Sequence, residues 1–331
     1  MILSRAPTRI TLGGGGTDLQ SYYSKHGGFL IAGAIDKYCN ILVNRRFYDS
    51  IRLSYSQMEI KDNVADIEHR IFRAALELSG IKKGIEIHST ADVPANCGLG
   101  TSSSFTVALL NALHTYNRDF IALRQLAEEA CHIEIDMLGE PIGKQDQYMA
   151  AFGGLTCITF DKSGDVQIEP LRISGDVIEQ LESNIVLFFT GKERISSEVL
   201  FEQDEKSRKD DPEMINNLHR VKDLGLQARR YLEGGQISML GELFHTHWEI
   251  KKKRSQKMSD TFIDECYEVA RKNGAIGGKL IGAGGGGFLM FYCENHDKLR
   301  LLAAMQKMGL RREQFRFDIN GARILINTRG A

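Results

Sequence analysis

The chain has 331 residues, of which 42% are hydrophobic and 26% are charged, and its formal net charge at pH 7 is -1. This composition is typical of a globular protein, and the near-zero net charge argues against nucleic acid or an anionic membrane as a partner. The six cysteines form no CxxC pair and the nine histidines form no HExxH motif, which excludes the usual zinc-binding patterns.

The sequence has no apolar run near the ~20 residues that a membrane-spanning helix needs. Its first residues, MILSRAPTRI, lack the architecture of a signal peptide. We therefore expect a cytoplasmic protein. The sequence leaves open whether two copies form a homodimer.

The first half of the chain alternates between predicted strands and helices. In GIEIHSTAD, apolar Ile85 and Ile87 alternate with polar residues, the period-two pattern of a half-buried strand. Strands are predicted at 2–12, 28–34, 39–47, 51–55 and 85–91, and helices at 66–79, 102–114, 121–138 and 144–151.

The pattern changes near residue 180. NIVLFF (184–189) predicts a buried strand, and a long, charged, mostly helical region follows at 196–273. The segment 277–293 predicts a strand, a glycine loop and a strand, followed by a helix near 295–308 and a strand at 323–327. We predict an α+β fold of two domains, 1–180 and 181–331, with a cleft between them.

One glycine-rich stretch, PANCGLGTSSSFTVALLNAL (94–113), lies between a predicted strand and a predicted helix. It is not a Walker A loop, because no lysine follows Gly98 or Gly100, and it fails the GxGxxG pattern at Ser103. Gly282, Gly284 and Gly287 do match GxGxxG. A strand follows them where a dinucleotide fold needs a helix, so we reject a nicotinamide oxidoreductase.

The physics of this stretch allows two interpretations. A helix that begins near Thr101 or Ser102, with either as its cap, would present free N–H groups and its positive dipole end to an anion. The alternative is an ordinary capped helix after a flexible turn. The loop alone does not separate these interpretations.

Three separated motifs carry a family resemblance. RAPTRITLGGGGTDL (5–19), VPANCGLGTSSS (93–104) and KLIGAGGGGFLMFY (279–292) resemble, in this order, the three motifs of the GHMP small-molecule kinases. That family includes galactokinase, homoserine kinase, mevalonate kinase and phosphomevalonate kinase. The resemblance implies ATP as phosphate donor, an N-terminal domain like ribosomal protein S5 domain 2, and a ferredoxin-like C-terminal domain.

A narrower resemblance rests on GGGGTDLQSYYSKHGGFLIAGAIDKY, IGKQDQYMAAFGGL and GKLIGAGGGGFLMFY. These segments are similar to those of bacterial D-glycero-D-manno-heptose 7-phosphate kinases. The resemblance implies phosphorylation of the anomeric (C1) hydroxyl to give the 1,7-bisphosphate, for GDP-heptose and surface glycan synthesis. Gly15 and Gly16 replace the Glu-His of galactokinases, which argues against galactose. Thr101 and Ser103 are milder departures from the family loop.

The resemblance also implies two catalytic residues. Asp146, in GKQDQ, would lie beside the acceptor hydroxyl, orient it and take its proton late in phosphoryl transfer. Arg9 would lie near Asp146 and stabilise the transferred charge. The alternatives are a helix-capping aspartate and a surface arginine on a strand.

The nucleotide and its metal would use the central motif. The resemblance implies that the loop residues Gly98, Leu99, Gly100, Thr101, Ser102 and Ser103 bind ATP. Glu134, twelve positions before Asp146, and Ser102 would bind Mg²⁺, which needs few protein ligands. Because other acids surround Glu134 in EEACHIEID, a solvated helix face is the alternative.

The acceptor would lie against the outer motifs. The resemblance implies substrate contacts from Gly15, Gly16, Thr17 and Asp18, and from Gly284, Gly285 and Gly286. The alternatives are a capping aspartate and a tight hairpin turn. The candidates for binding a substrate phosphate are Lys37, Arg45, Lys192 and Arg194, which would otherwise be solvated charges.

Three functions remain as hypotheses. The leading one is an ATP-dependent kinase for a sugar phosphate. The second is a GHMP kinase for a free sugar of the L-fucose or galactose type. The third is a non-catalytic sugar and ATP sensor, which the presence of Arg9, Ser102, Glu134 and Asp146 disfavours.

Overall fold

The fold is described from a computed structural model, which describes residues 1–192 and 197–328. In chain order the strands are β1 (Ile2–Gly13), β2 (Gly28–Arg45), β3 (Ile51–Ser54), β4 (Met58–Lys61), β5 (Ile85–Ala91), β6 (Leu155–Phe160), β7 (Val166–Pro170), β8 (Ile185–Phe189), β9 (Ala275–Leu280), β10 (Phe288–Cys293), β11 (Arg311–Glu313) and β12 (Arg323–Asn327).

The helices surround these strands. They are α1 (Gln20–His26), α2 (Arg70–Leu78), α3 (Thr101–Asn117), α4 (Leu123–Cys131), α5 (Gln145–Phe152), α6 (Gly175–Asn184), α7 (Ser197–Arg208), α8 (Pro212–Glu233), α9 (Met239–Lys252), α10 (Thr261–Lys272) and α11 (Asn295–Lys307). A 3₁₀ turn spans Val64–Asp66, and a π-helix spans His132–Met137 directly after α4.

The first sheet is organised around β2, which pairs with β1 on one side and with β6 and then β5 on the other. The predicted strands 28–34 and 39–47 are therefore the two halves of one strand. Asp36 and Lys37 lie between the two predicted segments. They form a bulge, where the pairing with β1 shifts between Pro7 and Thr8 and the ladder continues.

The second sheet has the order β11-β8-β10-β9, and each of its pairs is antiparallel. Numbered within this sheet the order is 4-1-3-2, with helices between its first two strands and before its last, which is the ferredoxin-like arrangement. The final strand, β12, instead pairs with β1 of the first sheet. The predicted α+β fold is confirmed, whereas the division at residue 180 stays a prediction.

The two halves share a hydrophobic layer. Ile10 and Ile31 of the first sheet pack in one cluster with Phe288 and Met290 of the second sheet and with Val221 of α8. Each buried side chain of this size contributes about 1.5–3 kcal/mol to stability, so this layer fixes the halves against each other.

No helix in the described residues is long and apolar enough to cross a membrane. The six cysteines are all free and buried, as expected for apolar thiols.

Candidate active site

A cavity of about 730 Å³ lies between the two halves. Its walls include all three glycine-rich segments: Gly15 and Gly16, the loop through Gly98 and Gly100, and Gly282 from the second half. The sequence motifs, separated by up to 270 positions along the chain, therefore meet at one site.

The helix α3 points its N-terminus into this cavity. Gly100 is its N-cap, in the left-handed conformation with φ 77°, and no side chain caps the helix. The prediction that Thr101 or Ser102 caps the helix is therefore wrong. The Thr101 hydroxyl donates to the carbonyl of Pro94, while Ser102 is exposed to the cavity and Ser103 also lines it. The first N–H groups of α3 are thus available to an anion.

Glu134 reaches the same place from the π-helix. The Ser102 hydroxyl donates to Glu134 Oε1 at 2.7 Å, and the Gln147 amide donates to Oε2 at 2.7 Å. The sequence predicted one helix over 121–138. The wider π-helical turn, a feature often found at functional sites, instead follows α4 and carries Glu134 into the buried wall.

Burial raises the pKa of Glu134 to about 7, against the opposing hydrogen bonds from Ser102, Ser103 and Gln147. A carboxylate whose charge is disfavoured by burial is well suited to a cation, which would restore that charge. The Gln147 Oε1 atom is buried and has no hydrogen-bond partner in the part of the chain that the structure describes. It is an additional oxygen acceptor beside Glu134.

These oxygen atoms suit Mg²⁺ better than a metal whose ligands are all protein side chains. Residues 1–192 and 197–328 contain no group of three or more His, Cys, Asp or Glu that could hold a metal ion. Mg²⁺ commonly takes one or two protein ligands and completes its shell with substrate phosphates and water. Ser102 and Glu134 are the residues that would hold it.

Arg9 and Asp146 form a two-point ion pair at the centre of the cavity wall. Arg9 Nε donates to Oδ1 at 2.6 Å and Nη2 donates to Oδ2 at 2.7 Å. Arg9 Nη1 also donates to the Gly98 carbonyl at 2.6 Å. The arginine is 4% exposed, so it is not the surface residue of the alternative interpretation. Asp146 instead keeps an open side toward the cavity.

Asp18 lies next to this pair. Its carboxylate accepts from the backbone N–H groups of Gly16 and Gln145, both at 3.2 Å. Burial, followed by the charge of Asp146, raises the pKa of Asp18. Gly143 leaves the room that this carboxylate occupies, since a Cβ there would lie 1.9 Å from Asp18 Oδ2. Asp18, Asp146, Gly15 and Gly16 thus line one part of the cavity.

Two predicted contact residues lie behind the cavity wall, and their contact with a ligand stays a prediction. Thr17 is fully buried, and its hydroxyl lies within 2.9 Å of the carbonyls of Gly14 and Phe29, where it holds the loop. Leu99 is also fully buried, and its carbonyl accepts from the Arg9 N–H at 3.0 Å. Neither residue lines the cavity.

The part of the C-terminal glycine loop that lines the cavity lies a few positions before the predicted residues. Gly282 and Ala283 line the cavity, whereas Gly284, Gly285 and Gly286 do not. A Cβ on Gly284 would meet Met258, and one on Gly286 would meet Lys192. Gly284 and Gly286 thus allow the loop to pack against its own domain. Substrate contact by Gly284, Gly285 and Gly286 stays a prediction.

The candidates for binding a substrate phosphate also lie elsewhere. Lys37 pairs with Glu313 at 2.7 Å, and Lys192 pairs with Asp260 at 2.5 Å. Arg45 is exposed at the end of β2. None of these three lines the cavity, and Arg194 lies outside the described residues.

The cavity instead has a basic wall that the sequence analysis missed. It consists of His247 and Lys251 on α9, Arg254 in the turn directly after α9, and Lys279 on β9. The signal was present: 247, 251 and 254 are spaced i, i+4 and i+7, which places them on one helix face. KKKR (251–254) lies within the long charged region 196–273, and Lys279 is the first residue of the third motif.

We expect Gly282→Ala to destabilise the protein by about 2–4 kcal/mol, from left-handed strain and overpacking together. A Cβ on Gly282 (φ 75°) would lie 2.5 Å from the Gly98 Cα. Gly84→Ala is the control, because Gly84 has φ 69° but nothing within 4 Å of such a Cβ. Chemical denaturation measures both variants. Equal losses would show that the contact between the two loops does not matter.

Comparison with known proteins assigns this architecture to a family. Residues 53–154 match the GHMP kinases N terminal domain, and residues 228–309 match the GHMP kinases C terminal domain. The chain belongs to the GHMP kinases, small-molecule kinases that use ATP as phosphate donor. This confirms the family inferred from the three motifs and its two-domain fold.

The similarity extends to particular members. The chain is 29% identical to the D-glycero-alpha-D-manno-heptose 7-phosphate kinase of Campylobacter jejuni, over 97% of this chain and 98% of that protein. A solved D-glycero-D-manno-heptose 1-phosphate kinase from Bacteroides thetaiotaomicron superposes with a TM-score of 0.81 at 25% identity, covering 99% of both chains. The Pyrococcus furiosus galactokinase is 26% identical over 86% of this chain and 87% of that protein.

Proposed function

We propose that this enzyme transfers the γ-phosphoryl group of ATP to the anomeric hydroxyl of a sugar phosphate. The acceptor that we propose is D-glycero-D-manno-heptose 7-phosphate, with the 1,7-bisphosphate as product. The product would serve the synthesis of nucleotide-activated heptose for surface glycans. The observation that carries the proposal is the Arg9–Asp146 pair beside the N-terminus of α3.

The nucleotide would lie across the N-terminal half of the cavity. The N-terminus of α3, with Gly98 and Gly100, would bind its phosphates through backbone N–H groups. Beyond Glu134, the cavity is lined by 68–71 and by Leu138 and Glu140. The apolar side chains and the His69 ring in this part suit a nucleoside.

The acceptor would lie at the opposite end, against Asp18 and Asp146. A carboxylate that accepts two donors suits a polyol, and Asp18 would orient the sugar hydroxyls. Asp146 would accept the proton of the attacking hydroxyl as the bond to phosphorus forms. The oxygen of the leaving ADP would need no proton at neutral pH. Arg9 would hold the Asp146 carboxylate in place.

Mg²⁺, held by Ser102 and Glu134, would neutralise charge on the nucleotide phosphates when it is bound. Both residues line the cavity and already contact each other through a hydrogen bond. Ser102 and Glu134 thereby also fix the edge of the loop that faces the nucleotide. We expect Ser102→Ala to lower turnover much more than it lowers the melting temperature.

The choice of a phosphorylated heptose rests on the names of similar proteins. The Campylobacter and Bacteroides relatives are both named for a manno-heptose phosphate, although the names differ in the position of that phosphate. The galactokinase relative covers less of this chain and acts on a sugar named without a phosphate. A phosphorylated acceptor would also require a second anion site, apart from the nucleotide loop.

A panel of acceptors tests this proposal. We expect kcat/KM for D-glycero-D-manno-heptose 7-phosphate to exceed that for the unphosphorylated heptose, L-fucose and galactose by at least about 100-fold, because a phosphate contact is charge-assisted. ATP consumption coupled to ADP detection measures each rate. Faster turnover of any free sugar would reject the sugar-phosphate proposal and favour the second hypothesis.

A further inference from the structure

The basic wall of the cavity contains three basic side chains that form no ion pair with an Asp or Glu in the part of the chain that the structure describes. Lys251, Arg254 and Lys279 are 6%, 3% and 3% exposed, yet all three line the cavity. Among residues 1–192 and 197–328, none of them lies within ion-pair distance of an Asp or Glu. Buried charges in proteins are normally paired with an opposite charge, so this arrangement calls for an anion that enters from the cavity.

Each of these cations retains hydrogen-bonding capacity. Lys251 Nζ donates to the carbonyls of Leu280 and Gly282, and Lys279 Nζ donates to Leu12 O and to His247 Nδ1. An ammonium group has three N–H donors, so each lysine keeps one. These backbone contacts fix the two ammonium groups in place.

Arg254 is held in the same way. Its Nε donates to Asn217, and Nη1 and Nη2 together contact the Gly15 carbonyl and Gln203. A guanidinium has five N–H donors, and these four contacts leave one. Gly16 allows this approach, because a Cβ there would lie 2.5 Å from Arg254 Nη1.

The mutual repulsion of these basic side chains also favours a bound anion. Burial, with the charges of Arg254 and Arg9, lowers the pKa of Lys279 to about 7. Burial and neighbouring cations also lower the pKa of Lys251 well below its usual range and that of Arg254 to about 10. His247 faces the same group, and burial lowers its pKa, so it contributes an uncharged ring. A bound dianion would relieve this repulsion.

The cluster lies at the acceptor end of the cavity. Arg254 donates to the Gly15 carbonyl, the charge of Asp18 acts on the pKa of Arg254, and the charge of Asp146 acts on the pKa of Asp18. An acceptor whose reacting hydroxyl lies at Asp146 and whose other hydroxyls lie at Asp18 therefore extends toward Arg254. The nucleotide phosphates have their own site at the N-terminus of α3.

We infer that Lys251, Arg254 and Lys279 bind the phosphate ester that the acceptor sugar already carries. This inference rests on the proposed function and names the residues that would make the enzyme select a phosphorylated sugar. Arg254 supplies a planar guanidinium fixed in orientation, and the two lysines supply ammonium donors to the ester oxygens.

The test uses the full-length protein and a matched pair of acceptors, D-glycero-D-manno-heptose with and without its 7-phosphate. The measured quantity is the ratio of the two kcat/KM values. Loss of folded protein lowers both values equally and leaves the ratio unchanged. We expect Lys251→Met and Lys279→Met each to lower the ratio at least about tenfold, mainly through KM for the phosphorylated acceptor. Lys251→Arg should retain most of it.

Lys252→Met is the matched control, because Lys252 neighbours Lys251 but pairs with Glu249 on the surface. Should Lys251→Met fail to fold, Arg254→Lys is used, which keeps the charge but loses the fixed planar group. In parallel, binding of inorganic phosphate is measured by calorimetry with the nucleotide site saturated by a non-hydrolysable ATP analogue. Wild type should bind phosphate, and Lys251→Met should bind it at least tenfold more weakly.

The outcomes separate the two claims. If wild type prefers the 7-phosphate and Lys251→Met keeps that preference, this inference is wrong and the proposed function stands. If Lys251→Met raises KM for ATP while the ratio stays constant, the cluster serves the nucleotide and the inference is again wrong. If wild type prefers the free heptose, the proposed function fails, and the assignment of a substrate phosphate to this cluster fails with it.

Discussion

Asp146→Asn should lower kcat by about 10²–10⁴, the range expected for loss of a positioned proton acceptor. Asparagine keeps the size of the side chain, but its amide cannot take a proton from the attacking hydroxyl. Only one of its two polar atoms can accept from Arg9, whose Nε and Nη2 both donate to the carboxylate in the wild type. The measurement is steady-state turnover at saturating ATP and acceptor.

The same variant should remain folded and should still bind nucleotide. Breaking the ion pair leaves Arg9 buried, which we expect to cost about 2 kcal/mol after allowance for the partial exposure of Asp146. The affinity for a non-hydrolysable ATP analogue should change by less than about threefold. Asp165→Asn, at an exposed carboxylate that pairs with Arg124, is the control for a general charge effect. Retention of more than a tenth of the wild-type kcat would remove Asp146 from the catalytic role.

Glu134→Gln should have the second largest effect on activity. It removes the one charged ligand that we propose for Mg²⁺ but leaves an oxygen to accept from Ser102. We expect kcat/KM to fall by about 10²–10³ and the Mg²⁺ concentration for half-maximal rate to rise at least tenfold. Magnesium titrations of wild type, Glu134→Gln and the exposed control Glu77→Gln measure this.

Glu134→Gln should raise the stability of the metal-free protein at pH 8, although it lowers activity. Burial raises the pKa of Glu134 to about 7, above its ordinary value of 4.5. The stability associated with a raised carboxyl pKa is present below the unfolded value and is lost as pH rises through the folded value. At pH 8 the free energy of unfolding of Glu134→Gln should therefore exceed that of wild type by up to about 3 kcal/mol, and its melting temperature should be higher. At pH 4 the two proteins should be equally stable. Lower stability at pH 8 would show that Glu134 stabilises the fold as a charged residue.

The family, the α+β fold and the centre of the site could be predicted from the sequence. Ser102 lies in the central motif and Asp146 in GKQDQ, and Glu134 was predicted from its position twelve residues before Asp146. In the structure they lie on α3, on α5 and on the π-helix. They do meet in one cavity, where Ser102 contacts Glu134 directly. The resemblance was sufficient for this prediction because it gives the position of each residue relative to a recognisable segment of the chain.

Other placements could not be predicted, for physical reasons. The resemblance implied that Thr17 contacts the substrate, but it did not reveal that the Thr17 hydroxyl joins the glycine loop to β2 through Phe29. The basic wall was missed because helical periodicity does not reveal which face meets a cleft from another domain. Lys251 and Lys279 are brought together only by the packing of α9 against β9, a tertiary contact that the local sequence does not encode.

The most direct test of the account is the position of the new phosphate, determined by ³¹P and ¹H NMR after reaction of D-glycero-D-manno-heptose 7-phosphate with ATP. We predict a second phosphorus signal coupled to the anomeric proton, which identifies the 1,7-bisphosphate. Consumption of ATP with phosphate at any other carbon, or no reaction with this acceptor while a free sugar or a heptose 1-phosphate is phosphorylated, would contradict it.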